Sequence, residues 1–382
     1  MSAQFPNKTR AAPNRRDFLG AASAVAAGGT FGCSGEPARK QAGPFAGREL
    51  RVFCYSGGHE KTMRDEFVPA FEKETGATVT LHPGWWEGIA KLKTAGSGEP
   101  PFDLIISDAT QGYPAIKDGL FAQLDLAKIP NAQLQFAPTL DNWVVRDRYG
   151  ITYPDSVMTL AYNKNLVKEP PASWSDLLKP ELKGKIGLYN SFYLSLFTFA
   201  CMKASLEGKA GTAHKMVETD LDGVLAFARA HRGQVKLWWP TSTDMILALA
   251  NKDAHAGNMH SPEYIQALRE KPELGAVVPS QDRAFVQVFW AIPARAKNAD
   301  MAHKAIDMLF SEALQLAFAR KGSATANLAA AQKMAADDPF WKQIYPHTTE
   351  QFKTLRYYPY EVYAKSWDRI GEVWDRTVLR NG

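Results

Sequence analysis

Residues 50–81 read LRVFCYSGGHEKTMRDEFVPAFEKETGATVTL. Leu50 to Cys54 is a short apolar run of the kind a strand shows. Met63, Phe67 and Phe71 then recur four residues apart through Lys61 to Thr75, and Gly76 follows as a stop, which predicts an amphipathic helix. Pro69 lies inside it. Proline has no amide hydrogen and its ring crowds the preceding turn, so the helix is expected to kink or to begin late. Ala77 to Leu81 reads as a second strand. Beyond it, Trp86 to Thr94 is helix-like, and Leu104-Ile105-Ile106 is a continuous apolar run suited to a strand buried on both faces. A helix over Gly112 to Lys117 closes with Gly119. Two successive strand-helix-strand units imply parallel strands joined by right-handed crossovers, hence an α/β sheet.

The same grammar returns downstream. Strands are expected at Ile186 to Tyr189, Val235 to Trp238 and Ala254 to Asn258, and helices at Phe192 to Leu206, Ala213 to Ala230 and Thr243 to Ala250. Between the two sets, Gly150 to Asn163 is extended and apolar, with Pro154 early in it, as expected of a strand crossing from one lobe to another. The tail is helical over Met301 to Arg320 and Tyr363 to Leu379, and Trp367, Ile370 and Trp374 form a packing face at helical spacing.

Composition agrees with a globular chain large enough for two lobes: 382 residues, 45% apolar and 22% charged. The net charge of +5 is concentrated at the start. Lys8, Arg10, Arg15 and Arg16 stand against Asp17 in residues 1 to 32, which leaves 41 basic and 39 acidic residues for the rest. That balance, without any dense Lys/Arg block, is no nucleic-acid footprint. Arg15-Arg16-Asp17-Phe18-Leu19-Gly20 followed by the Ala/Gly-rich stretch to Gly32 reads as a twin-arginine export signal covering residues 1–33. Cys33, between Gly32 and Ser34-Gly35, is a candidate lipid anchor, with plain cleavage or a retained anchor as the alternatives. Residues 34–47 read as a flexible tether. Cys54 and Cys201 are then left for the body, and two buried thiols is the expectation.

Several stretches, taken in order, resemble the extracytoplasmic solute-binding proteins of ABC importers, particularly the spermidine/putrescine-binding type. They are Phe67 to Val79 (FVPAFEKETGATV), Phe102 to Ile105, Tyr162-Asn163-Lys164 followed by Pro171 to Leu177 and Gly184-Lys185-Ile186, Trp290 to Pro293 with Lys297-Asn298, and Asn327 to Ala330. The resemblance implies an α/β, two-lobed type II periplasmic binding fold, each lobe a mostly parallel sheet flanked by helices, with a hinge of crossing strands. It places crossings near Pro154, Met259 and Asn298, giving one lobe of residues 48–154 with 260–298 and another of 155–259 with 299–382. A small solute is then captured by hinge closure and passed to an inner-membrane ABC permease. No cofactor, metal or nucleic acid is expected, and a monomer is.

Ligands of open parallel sheets sit outside the carboxyl ends of the strands. The rule selects Ser56, Gly57, Gly58 and His59 after the first strand, and Asp108 and Thr110 after the third. In the second lobe it selects Asn190, Ser191 and Tyr193, then Trp238, Trp239, Ser242 and Thr243, and His260. Paired glycines let backbone amides approach a ligand, and Thr241 or Ser242 can cap the following helix. Arg283 and Phe285 complete the candidate set. Aromatic residues gather at these loops, which suits a cation or a flat organic solute.

Polyamine recognition also requires a carboxylate for each ammonium group. Family members that hold polyamines place acids where this chain has Asn190-Ser191 and, by a looser match, His260. An anionic or amino-acid-like solute, with Arg283 and His59 or His260 as partners, therefore stays open beside a polyamine-like one, as do thiamine-like cations and ferric iron. Iron binders of the superfamily use adjacent tyrosines, and the pair Tyr357-Tyr358 lies in the tail, away from the expected cleft. The rival class is an exported twin-arginine-dependent α/β enzyme. The sequence holds no C-x-x-C, H-E-x-x-H, G-x-G-x-x-G, G-x-S-x-G or phosphate-loop pattern, so no enzyme is expected.

Overall fold

A computed structural model describes residues 43–380. The expected export signal, Cys33 and residues 34–42 of the tether lie outside the described residues.

Ten strands form one curled sheet: β1 (Glu49–Tyr55), β2 (Thr78–Gly84), β3 (Leu104–Asp108), β4 (Ile151–Asn163), β5 (Ile186–Tyr189), β6 (Val235–Trp239), β7 (Ala256–His260), β8 (Leu274–Val277), β9 (Ala284–Ala291) and β10 (Arg356–Tyr357). The main order is β2-β1-β3-β9-β4-β7-β5-β6. The strands read from the sequence pair in parallel, β1 with β2 and β3, and β5 with β6 and β7. The centre is antiparallel. There β9 lies between β3 and β4, and β4 also meets β7 and β8.

The 13-residue β4 joins the two halves. From Ile151 to Val157 it pairs with β9, and from Met158 onward with β7 and β8. The ladder slips at one point: Pro154 faces Gln287 and Ser156 faces Val286, so Asp155 forms a bulge. After β7 the chain runs through helix Ser261–Glu270 to β8, which pairs with β4 as β7 does, and β9 then pairs with β3 and β4. Helix Ala299–Leu309 is tied to the first half, with Asp300 paired to Arg48 and His303 Nε2 accepting from the Asp125 amide at 2.9 Å. Helix Tyr360–Trp374 touches both halves, through Tyr113 on one and Phe192 on the other.

Local chemistry explains most element boundaries. Pro69 is accommodated by a π-helical turn at Met63–Phe67, placed between helices Gly58–Thr62 and Val68–Thr75, so the proline sits in a first turn where its missing amide costs nothing. Gly76 then ends the helix at φ 71°. The long helix expected over 213–230 is two, Ala213–Thr219 and Leu221–His231. Asp220 breaks them and caps the second by accepting from the Gly223 amide. In β5 and β7 a glycine pair is required: a Cβ on Gly257 would lie 1.8 Å from the Gly187 carbonyl oxygen. Strands β3 and β9 are buried along their whole length, and Cys54 and Cys201 are buried and free.

Candidate functional site

The carboxyl end of β3 delivers Asp108 to the seam between the halves. Its carboxylate caps helix Ala109–Lys117, accepting from the Thr110 amide at 2.7 Å. It also accepts from the Tyr193 hydroxyl at 2.5 Å. Tyr193 belongs to the second half, in the first turn of helix Phe192–Leu206, which Ser191 caps. Burial pushes Asp108 up to about 6, although both hydrogen bonds favour its charged form. A narrow pocket beside it is lined by Tyr55, Trp85, Trp86, Ser107 and Gln111. Trp86 closes over it from the first half and meets Tyr193 and Trp367, with ring centroids 5.6 and 5.3 Å apart.

Two further carboxylates complete an acidic group. The bulge at Asp155 turns a side chain out of the regular alternation of β4. Loss of hydration pushes Asp155 up to about 7, and the charges of Glu263 and Asp108 add to the shift. Glu263 is exposed on the first turn of its helix; loss of hydration on its protein side raises its carboxyl, and the Ser242 hydroxyl, 3.5 Å away, works against the rise. Gly58 reaches the same place from the first half, since a Cβ there would lie 3.6 Å from Glu263 Oε1. No lysine or arginine charge offsets any of the three carboxylates among the described residues.

The histidines provide no counter-charge. His59 lies between Tyr55 and Trp290, and burial holds it down to about 4. His260 stands against Tyr189 and Trp239, with Nδ1 3.4 Å from the Ser156 hydroxyl, and is likewise held down to about 4 by burial. Both are therefore neutral at pH 7. Trp239 is buried with its indole N–H lacking a partner, and so is the Tyr358 hydroxyl.

The candidates of the sequence fall into three groups. Asp108 meets Tyr193 across the seam, with the Thr110 amide on the same carboxylate; Gly58 and Ser242 both approach Glu263, and His260 stands against Trp239 and Ser156. His59 packs on Tyr55, and Ser56 and Gly57 follow β1 in the loop before it. Asn190, Ser191, Trp238 and Thr243 are beside it but otherwise engaged or exposed: the Asn190 carbonyl accepts from Trp374 Nε1 at 2.8 Å, Trp238 packs edge-on against Trp374, and Thr243 is exposed on the first turn of its helix. The cap of that helix is Thr241, which accepts from the Asp244 amide. Arg283 and Phe285 lie with the tail segment instead. Arg283 donates to Thr354, and Phe285 packs between Phe352 and Tyr357.

Two residues were missed. Asp155 had a visible signal, a lone acid in the apolar run ITYPDSVMTLAY. Tyr358 was placed away from the cleft with the rest of the tail, but its ring lies 5.3 Å from that of Tyr193.

Residues 66–347 match the model of a family described as bacterial extracellular solute-binding protein. A spermidine/putrescine-binding periplasmic protein 1 of Haemophilus influenzae is 26% identical over 303 residues, 74% of this chain and 77% of that protein. An Fe(3+)-binding periplasmic protein of Serratia marcescens is 26% identical over 141 residues, 37% of this chain; the chain spans 40% of that relative. Among solved structures, an ABC transporter protein of Clostridium perfringens superimposes with a TM-score of 0.67 at 21% identity, over 86% of this chain and 99% of that one. The shared architecture is the α/β type II periplasmic binding fold.

Proposed function

The chain belongs to the bacterial extracellular solute-binding proteins, and from that premise we propose that it is the solute-binding component of an ABC transporter and that its solute is a small organic cation carrying ammonium groups. The carrying observation is the acidic group of Asp108, Asp155 and Glu263: burial raises Asp108 and Asp155, Asp155 also feels the charges of the other two, and Glu263 stands at the exposed rim. A cation bound among them replaces lost hydration with charge-assisted contacts. Tyr55 and Trp86 line the pocket beside Asp108, where an aromatic ring can also meet a cation. An anionic solute fits poorly, because His59 and His260 are neutral and Arg283 lies with the tail segment, where it donates to Thr354.

In this reading the halves of the sheet on either side of the middle of β4 are two lobes that close on the solute and present it to a membrane permease. The described residues include no helix long and apolar enough to cross a membrane. The twin-arginine leader would deliver the folded protein across the membrane, and a lipid on Cys33 would hold it there. Mass measurement of the Cys33 peptide from membrane fractions, beside a Cys33→Ala variant, tests the anchor.

The solute is tested by thermal unfolding against putrescine, spermidine, thiamine, amino acids, phosphonates and ferric iron. A ligand specific to the folded state adds about 2.7 kcal/mol at about 100 times its dissociation constant, a shift of a few degrees. The ammonium-bearing compounds are expected to produce it. A shift with anionic solutes alone overturns the reading.

A further inference from the structure

The position of Asp155 in the fold is more specific than its charge. It is the bulged residue of the strand that leaves one half of the sheet for the other, three residues before the ladder changes from β9 to β7. Any rotation of the halves must pass through this stretch, so a charge there feels the closure directly.

The groups facing it come from every neighbouring element. Glu263 faces it from helix Ser261–Glu270 and Asp108 from the end of β3. His260 of β7, whose ring nitrogen meets the hydroxyl of the adjacent Ser156, is neutral, as is His59 in the helix that brings Gly58 to Glu263. Tyr345, after helix Pro339–Ile344, feels both Asp155 and Glu263, and their charges add to the burial that keeps its hydroxyl protonated. Arg269, the nearest cation named by these interactions, is paired with Asp338.

We propose that Asp155 is the charge sensor of closure: the halves come together when a positive group of the solute, or a proton, neutralises the hinge site, and the empty ionised protein is held open. This rests on the reading that the halves close around a cationic solute. The physical cause is like-charge crowding. Closure brings Asp108, from the first half, toward Asp155, which Glu263 already faces from its own side, where Ser261 accepts from the Val157 amide; the added negative charge and the loss of solvation both fall on Asp155. A ligand drives closure only through its extra affinity for the closed form, and here that extra affinity is the relief of this repulsion. A proton supplies part of the same relief, because enclosure brings Asp155 into the neutral range.

Small-angle scattering of the full chain without any solute tests the sensor. The wild type is expected to be more compact at pH 5.5 than at pH 8. Asp155→Asn should be compact at both, while Asp155→Glu, which keeps the charge, should retain the pH response. Near-ultraviolet circular dichroism of each variant establishes that it is folded. An Asp155→Asn protein that is folded and expands at pH 8 like the wild type overturns the proposal. The outcome is separable from the solute reading. If no cation binds but Asp155→Asn closes, the solute reading fails and the sensor stands. If cations bind and compact the wild type while Asp155→Asn responds to pH unchanged, the sensor fails and the solute reading stands.

Discussion

The hydroxyl of Tyr193 donates to the carboxylate of Asp108 across 2.5 Å, although 85 residues separate them and they sit on opposite halves of the sheet. The contact satisfies the most buried acid of the site and simultaneously fastens the halves together. It has an aromatic companion on the same seam, where Trp86 meets Tyr193 and Trp367.

Removing the hydroxyl should loosen the closed form. A hydrogen bond to a charged group contributes about 1.5 to 3 kcal/mol, so Tyr193→Phe is expected to weaken solute binding by roughly tenfold or more. Calorimetric titration of the two proteins measures the ratio. Equal affinities would mean that the bond does not favour the bound form.

Affinity for a cationic solute should fall with acidification. Asp155 is raised to about 7 and Asp108 to about 6, so both lose their charge as pH drops from 8 to 5. Titrations at pH 8, 6.5 and 5 are expected to give steadily weaker binding. Affinity that is flat or rises over that range contradicts a carboxylate site.

The same shifts predict a stability effect. An acid whose folded value is raised holds its proton more tightly when folded, so its destabilising contribution is absent below about pH 4 and complete above its folded value. His59 and His260, held down to about 4, oppose this trend as the pH falls below about 6.5. A difference between proteins isolates Asp155: without solute, Asp155→Asn should raise the unfolding temperature more at pH 7.5 than at pH 5. An equal change at both would assign Asp155 an ordinary value.

The two cysteines should be inert in the folded protein. Cys54 is buried in β1 and pushed up to about 12 by burial, and Cys201 is buried in helix Phe192–Leu206 and raised as well. Only the thiolate reacts readily, so a thiol reagent should label neither until denaturant is added. Labelling at native rates would place one of them at the surface.

Much of the fold was legible because it is local. The 3.6-residue recurrence of Met63, Phe67 and Phe71 and the buried run Leu104-Ile105-Ile106 both report elements formed by neighbouring residues. What escaped was non-local. Strand β9, AFVQVFWA, was not read as a strand, and its central antiparallel place depends on β3 and β4, far away in the chain. The bulge that aims Asp155 exists only through its register with β9, so no local pattern could reveal it. The acids of the resembled motif are indeed absent at Asn190-Ser191. The carboxylates of the proposed site come instead from β4 and from the first turn of helix Ser261–Glu270, outside the resembled motif; of these only Asp155 stood out locally, as a lone acid in an apolar run. Tyr358 reaches the seam because the tail folds back over both halves, again a tertiary fact.

In the proposed reading, the carboxylates of Asp108, Asp155 and Glu263 together hold a cation. Calorimetric titration of the wild type and Glu263→Gln with spermidine and putrescine at pH 7.5 tests it most directly. The account predicts saturable one-to-one binding of at least one of them to the wild type, weakened roughly tenfold or more in the variant. No binding of either amine, with saturable binding of an anionic solute in their place, would contradict it.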